Sequence, residues 1–315
     1  MRDDSAPENK DEPVEGEIVR GVLTDLPVRV VAAVTTGVVR EAARRHKAGP
    51  AGTVALGRGL TAGLLLATLT KDDERVTLQV LGDGPLGGIT VDANGAGTAR
   101  AYVKHPRAGA IGPGAPRPTL AAAVGRSGVV SVIRDVGLRE NFSGTTAIDS
   151  GEIDDDVERY LTESEQIESA LACDTVAADD GGVVSSGGIL VQALPGEAAI
   201  EVALARGLFA DGALARAVAA PLPPSGDGLL RAVFAGRLGE IRVLDRRPAR
   251  FFCPCSRARA GVSLAMLGEA DLSAMILDDG KAEVTCNFCG AHYEFDEAEL
   301  ERIRRSTGGA AGPPS

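Results

Sequence analysis

The sequence predicts an α+β protein with a large N-terminal domain built around an antiparallel sheet and a small C-terminal module that binds metal. Short apolar or alternating runs follow one another between Gly, Pro and Asn clusters, which is typical of antiparallel strands. Stretches with helical spacing interrupt them without regular βαβ alternation. Four of the five cysteines fall in the last quarter of the 315 residues, a length that suits one large domain and one smaller one.

The first half of the chain predicts two helices and a series of strands. Residues 17–23 form the first strand, and the spacing of Val28, Val31, Val34 and Val38 predicts a helix over 26–47. A second, more apolar helix covers 52–70. It is interrupted by Arg58 and contains fewer apolar residues than a membrane-spanning helix, which needs about 20. The strands that follow are predicted at 76–81, 88–92, 98–103, 129–136 and 145–153.

The second half alternates helices and strands up to a proline-rich break. A helix over 154–166 begins with acidic residues, which suits its N-terminal dipole end. Two strands, 167–176 and 183–194, lead to a helix over 197–219 that ends at the Pro- and Gly-rich residues 221–226. A short helix over 229–234 and a strand over 241–244 precede the first clustered cysteine. We expect four apolar residues of this helix to pack on the N-terminal body: Leu229, Leu230, Val233 and Phe234.

These patterns divide the chain into five segments. Residues 1–15 are a disordered acidic arm, 16–225 the core domain, 226–252 a helical linker, 253–305 the zinc-binding module and 306–315 a flexible tail. The N-terminus has no apolar h-region of a signal peptide, so we expect a cytoplasmic protein with reduced thiols and no membrane partner. The 33 basic and 44 acidic residues give a net charge of −11, which repels phosphate backbones and disfavours nucleic acid as a partner.

The clustered cysteines form two close pairs, Cys253 with Cys255 and Cys286 with Cys289. In a reducing compartment such pairs indicate a metal site rather than a disulfide framework. Four thiolates complete the tetrahedral shell of Zn²⁺, so we predict one Zn²⁺ per chain held by these residues. The module contains few large apolar residues, and metal binding would supply folding energy of about 10–16 kcal/mol.

The second cysteine pair lies in a predicted hairpin with a helix behind it. Residues 282–285 and 291–295 are its strands, and Gly290 follows the last thiol. Asp296 is predicted to cap the final helix together with Glu299, three residues further on. Leu300 and Ile303 would then form the inner face of that helix.

Several readings of these motifs compete. A static zinc clip is the ordinary role of a four-cysteine site, but oxidation of the thiolates would eject zinc and unfold the module, which makes a switch. A zinc-ribbon nucleic-acid binder is opposed by the net charge, and a thiol–disulfide oxidoreductase by the missing thioredoxin-like context. His292 is an alternative ligand. The G-x-G-x-x-G at 82–87 is interpreted as a turn, and Cys173 as a buried core residue. We predict no catalytic site, and so no enzyme.

The motifs together resemble one family. FCPCSRARA at 252–260 and the run from LDDGKAEVTCNFCG to ELERIRR at 277–305 are similar to the redox-regulated thirty-three-kilodalton heat-shock chaperone (HslO-type chaperonin) family. The likeness continues in GDGP at 82–85, in SEQ at 164–166 and in GG-x-x-x-Q-x-x-P at 187–195, and covers about 16–305. Family members usually carry an acid soon after C-x-C-S, where this chain has Ala258.

The resemblance implies an ATP-independent holdase that zinc keeps inactive under reducing conditions. Under oxidative stress, local disulfides would join Cys253 to Cys255 and Cys286 to Cys289. The module and the metastable linker before it would unfold and expose apolar surface to unfolding client proteins. The active, oxidised form is expected to be a homodimer.

Overall fold

The computed structural model describes residues 16–72, 74–137, 141–195, 199–220 and 225–308. The predicted acidic arm and residues 309–315 of the predicted tail lie outside these ranges. Within them the chain forms two compact units, one ending at Phe252 and the other beginning at Cys253.

The larger unit is built on one sheet of ten strands among the described residues, which confirms the predicted antiparallel architecture. Across the sheet the order is β7-β6-β3-β4-β5-β10-β1-β2-β9-β8. Neighbouring strands are antiparallel except for a short parallel contact in which Arg250 and Phe251 of β10 lie beside Thr98 and Ala99 of β5. The strands are β1 (Gly16–Leu23), β2 (Val28–Val34), β3 (Arg75–Gly82), β4 (Ile89–Asn94), β5 (Thr98–Val103), β6 (Gly128–Asp135), β7 (Phe142–Ala147), β8 (Ser169–Ala177), β9 (Val183–Ala193) and β10 (Ile241–Phe251).

Seven helices of the described residues accompany this sheet: α1 (Thr36–His46), α2 (Pro50–Ala67), α3 (Ala121–Val124), α4 (Ile153–Glu163), α5 (Ala199–Ala210), α6 (Ala213–Ala219) and α7 (Gly226–Phe234). Helix α2 is buried from Ala51 to Ala67, as its apolar composition predicts. Its one charged residue, Arg58, forms ion pairs with Glu152 and with Asp174. It also donates a 2.9 Å hydrogen bond to the Pro118 carbonyl. Buried charges persist in proteins when they are paired in this way.

The predicted helix over 26–47 is wrong in its first half. Residues 28–34 form β2, which pairs with β1 and with β9, and only from Thr36 does the chain become helical. The segment VRVVAAV is rich in β-branched valine and is buried on both faces, so its apolar positions fit a helical period by accident. The strand partners, which periodicity does not reveal, decide its conformation.

Three further boundaries differ from the predictions. The strand expected at 145–153 is β7, which ends at Ala147, and Ile153 already begins α4. The helix expected at 197–219 is divided into α5 and α6 before Gly212, whose φ of +78° interrupts the helix. The strand expected at 241–244 continues to Phe251, because β10 pairs with β1 over most of its length.

Residues 226–252 comprise a helix and a strand that belong to the larger unit. Leu229, Leu230, Val233 and Phe234 of α7 are all buried, which confirms the expectation that they pack on the body. They share an apolar cluster with strand residues such as Val19. Strand β10 lies between β5 and β1, so it joins the two halves of the sheet.

The smaller unit consists of α8 (Arg257–Ala265), α9 (Glu269–Asp278), the hairpin β11 (Lys281–Thr285) and β12 (His292–Asp296), and α10 (Glu297–Gly308). The hairpin and α10 were predicted, whereas α8 and α9 were not. Among the described residues, no single helix is long and apolar enough to cross a membrane. Helices α8 and α9 reach the length and apolar composition of a membrane span only when they are counted together, and the chain bends by 110° between them. The core of the smaller unit contains six buried apolar residues among those that the structure describes: Ala260, Leu264, Leu272, Ala282, Phe295 and Leu300.

Candidate metal centre

The four clustered cysteines are held by two local structures of the smaller unit. Cys253 and Cys255 lie just before α8, whose N-terminus is capped by Ser256 Oγ accepting a hydrogen bond from the Arg259 amide. The second pair brackets the hairpin turn. There the Cys286 amide donates to the Ala291 carbonyl at 2.9 Å.

Gly290 closes this turn. Its amide donates to the Cys286 carbonyl at 2.8 Å, and its φ of +69° is a conformation that glycine adopts without a steric penalty. The predicted role of Gly290 just past the last thiol is therefore confirmed. The turn brings Cys286 and Cys289 to the same side of the hairpin end.

The four Sγ atoms form a compact cage, all within 4.8 Å of one another. Cys253 Sγ lies 3.7 Å from Cys286 Sγ, and Cys255 Sγ lies 3.2 Å from Cys289 Sγ. A tetrahedral zinc ion with Zn–S distances of about 2.3 Å separates its sulfurs by about 3.8 Å. The cage therefore has the size and donor set of a metal centre closed by four thiolates.

The surroundings of the cage oppose free thiolates. Burial raises the pKa of Cys286, although backbone hydrogen bonds from Cys289 and Phe288 act in the other direction. Burial also raises the pKa of Cys289 well above its usual range, and the neighbouring thiol of Cys255 adds to the effect. Without a cation these two sulfurs keep their protons, and a bound cation is what would hold them as thiolates.

Tyr293 touches the cage and was not singled out from the sequence. Its hydroxyl donates a 3.2 Å hydrogen bond to Cys255 Sγ, and this contact, with some burial, raises the pKa of Tyr293. The alternation of β12 carried the signal, because Tyr293 and Phe295 point inward while His292 and Glu294 are exposed. Alternation alone does not show that the inward face of β12 contacts the thiol of Cys255.

The helix behind the hairpin is fixed as predicted. The Asp296 amide donates to Glu299 Oε2 at 3.1 Å and the Glu299 amide donates to Asp296 Oδ1 at 2.8 Å, which is a reciprocal capping box. Arg257 lies 4.7 Å from the centre of the Phe295 ring and pairs with Glu299 at 2.6 Å. These contacts attach α10 to α8, with Leu300 fully buried.

The other residues considered in the sequence lie elsewhere. His292 lies outside the thiol cage and beside two glutamates. Cys173 is fully buried in β8, as predicted. The glycine-rich loop at 82–87 leads into strand β4 at Ile89 rather than into a helix, which rules out the dinucleotide reading of that motif.

Comparisons with known proteins agree on one family. The model of the Hsp33 protein family matches residues 16–296. The chain is 38% identical over 290 residues to the 33 kDa chaperonin of Geobacter sulfurreducens, covering 92% of this chain and 95% of the relative. It is 36% identical over 292 residues to the 33 kDa chaperonin of Bacillus subtilis, covering 92% of this chain and 98% of that relative.

A solved structure shows the same fold. The crystal structure of the 33 kDa chaperonin (Heat shock protein 33 homolog) from Thermotoga maritima matches with a TM-score of 0.82 and 29% identity, covering 94% of this chain and 99% of that one. Fold, site and relatives define a chaperone rather than an enzyme. The chain belongs to the Hsp33 family.

Proposed function

We propose that this protein is a redox-regulated, ATP-independent holdase that binds unfolding proteins under oxidative stress. The reduced, zinc-bound form is inactive and the disulfide-bonded form is active. The observation that carries the proposal is the four-sulfur cage, which has the dimensions of a zinc tetrahedron in a chain that belongs to a chaperone family.

The ligands of the proposed zinc ion are Cys253, Cys255, Cys286 and Cys289, with one ion per chain. With zinc bound, these four sulfurs would join the segment before α8 to the hairpin. The core of the smaller unit contains only six buried apolar residues among those described. So small a core supplies little stability, and metal binding is then a large part of the folding energy.

Oxidation removes the metal ligands in pairs. Each disulfide forms as two thiolates lose two electrons, while one peroxide molecule takes up those electrons and two protons and becomes two waters. In our proposal the new bonds are local, Cys253–Cys255 and Cys286–Cys289. A sulfur in a disulfide is no longer a thiolate ligand, so the chain loses its zinc and the smaller unit loses its main support.

The segment 226–252 is proposed to be the metastable linker between the zinc-binding module at 253–305 and the core domain at 16–225. It joins Cys253 directly along the chain, so unfolding of the module frees its C-terminal end. Unfolding of residues 226–252 would remove α7 from the apolar cluster that contains Val19. It would also remove β10 from its place between β5 and β1. The uncovered apolar surface is what would bind clients.

Clients are unfolding polypeptides, and the active form is a homodimer in the cytoplasm. The net charge of −11 supports the view that neither nucleic acid nor an anionic membrane surface is a partner.

The test measures light scattering by an unfolding client together with zinc release. Reduced, zinc-loaded protein is compared with protein treated with peroxide at mildly raised temperature, and released zinc is read with a chromogenic chelator. We expect suppression of scattering only after oxidation, in step with the loss of one zinc per chain. Equal suppression by the reduced form would refute the redox switch, and no suppression by either form would refute the holdase.

A further inference from the structure

We propose a second metal site, formed by Glu283, His292 and Glu294 on the exposed face of the β11–β12 hairpin, that binds a divalent transition-metal ion. Its ligand atoms, one from each residue, all lie within 4.8 Å of one another, and none belongs to the thiol cage. Neither the sequence patterns nor the proposed function accounts for this cluster.

Strand register places the three side chains together. Glu283 of β11 pairs directly with Glu294 of β12, and Thr285 pairs with His292, two residues from Glu294 on the same face. His292 Nε2 lies 3.7 Å from Glu283 Oε2 and 3.5 Å from Glu294 Oε1. Ligands that each lie about 2.1 Å from one shared ion are separated by about 3.0–3.5 Å, and the two His292–carboxylate distances are at or slightly above that range.

The same distances argue against an ordinary hydrogen-bonded cluster. Hydrogen bonds from nitrogen to oxygen are about 2.7–3.2 Å long, and both His292–carboxylate separations exceed that range. Two carboxylates that face each other across a strand pair also repel. Lys281 offsets one of them, but its Nζ lies 2.7 Å from Glu283 Oε1, which leaves Oε2 facing His292.

A fourth residue orients the imidazole for ligation. Thr285 Oγ1 lies 3.1 Å from His292 Nδ1. When Nδ1 carries the proton and donates a hydrogen bond to Thr285 Oγ1, the lone pair of Nε2 points to the two carboxylates. Metal-binding histidines ordinarily have their second ring nitrogen held in this way, which fixes the tautomer and the ring direction.

The donor set identifies the class of ion. One imidazole and two carboxylates suit first-row ions such as Zn²⁺, Ni²⁺ or Co²⁺, whereas Ca²⁺ and Mg²⁺ prefer oxygen ligands throughout. All three side chains are exposed, so water fills the remaining positions. Such an ion would bridge the two strands whose turn carries Cys286 and Cys289, and would support that hairpin independently of the thiols.

The test titrates Co²⁺ into reduced, zinc-loaded, full-length protein. We expect one cobalt per chain in addition to the retained zinc, with paramagnetic broadening of the His292 ring protons and no thiolate-to-cobalt charge-transfer absorption. His292→Ala should abolish binding of the additional cobalt, and Thr285→Val should lower the affinity for it about tenfold or more. His105→Ala, which removes another exposed histidine, should leave it unchanged.

Three results would overturn the site. The first is the absence of a second equivalent. The second is charge-transfer absorption, which would show that cobalt had replaced zinc on the thiols. The third is unchanged affinity in the double variant Glu283→Gln with Glu294→Gln, which would assign binding to the imidazole alone. None of these results depends on holdase activity, so this proposal and the proposed function fail separately.

Discussion

Cys255 Sγ lies 3.2 Å from Cys289 Sγ, so a thiol of the C-x-C pair contacts a thiol of the C-x-x-C pair 34 residues away. Cys253 and Cys286 make the second such contact, at 3.7 Å. The cage therefore connects two separate chain segments. The proposed disulfides would instead close within each segment, so oxidation would exchange long-range connections for local ones.

This difference can be read from a tryptic digest of the oxidised protein. Trypsin releases Cys253 and Cys255 together in peptide 251–257, and Cys286 and Cys289 together in peptide 282–302. We expect each peptide to appear separately, lighter by two hydrogens, because both disulfides are local. The same digest after reduction serves as the control. A covalently joined pair of these peptides as the main product would contradict the proposed pairing.

Removing one cage sulfur should lower zinc content, whereas removing the fifth cysteine should not. Cys289→Ala leaves three thiols, so we expect well below one zinc per chain after dialysis against a mild chelator. Cys173→Ala, in strand β8 of the larger unit, is the matched control and should retain one zinc. Metal analysis by emission spectroscopy provides the measurement. Equal zinc in both variants would remove Cys289 from the ligand set.

Two adjacent positions of α7 test the proposed linker. Val233 is fully buried in the apolar cluster and Ala232 is exposed. Val233→Asp places an unpaired carboxylate in that cluster, at a cost of about 3 kcal/mol or more. We expect it to suppress client scattering without full oxidation, while Ala232→Asp remains silent when reduced. A reduced Val233→Asp variant that does not suppress client scattering, and whose α7 stays protected from proteolysis, would contradict the linker assignment.

A buried ion pair makes the stability of the larger unit depend on pH. Burial alone would raise the pKa of Asp154, but the charge and hydrogen bonds of Arg117, with help from Arg58 and the Cys173 amide, lower it below its usual value. A carboxyl with a lowered pKa stabilises the fold above its unfolded pKa of about 3.9, and that contribution is lost as the pH falls through the folded pKa.

Asp154→Asn should therefore destabilise the larger unit by about 3 kcal/mol at neutral pH, because Arg117 loses its buried partner. The difference from the parent protein should shrink as the solution is acidified below about pH 4. Urea denaturation at several pH values measures it. Asp179→Asn is the control, at an exposed position between β8 and β9, and should change stability by about 0.5 kcal/mol or less. A difference that stays constant with pH would argue against this ion pair.

The sequence by itself determined what depends on short-range chemistry. Cysteine spacing identified Cys253, Cys255, Cys286 and Cys289 as one candidate centre, because thiol chemistry and coordination number are local properties. The Asp296–Glu299 capping box was predicted for the same reason, since it spans a single helical turn. The buried face of α7 followed from the apolar residues of one short helix.

The tertiary structure decided what depends on partners distant in the chain. Residues 28–34 are a strand because β1 and β9 lie on either side, and β10 extends to Phe251 because β1 supplies its hydrogen bonds. Strand register alone places His292 between two glutamates, and only folding brings Tyr293 to Cys255. Periodicity records which faces are apolar, but hydrogen-bond pairing and side-chain convergence arise from contacts that no local pattern encodes.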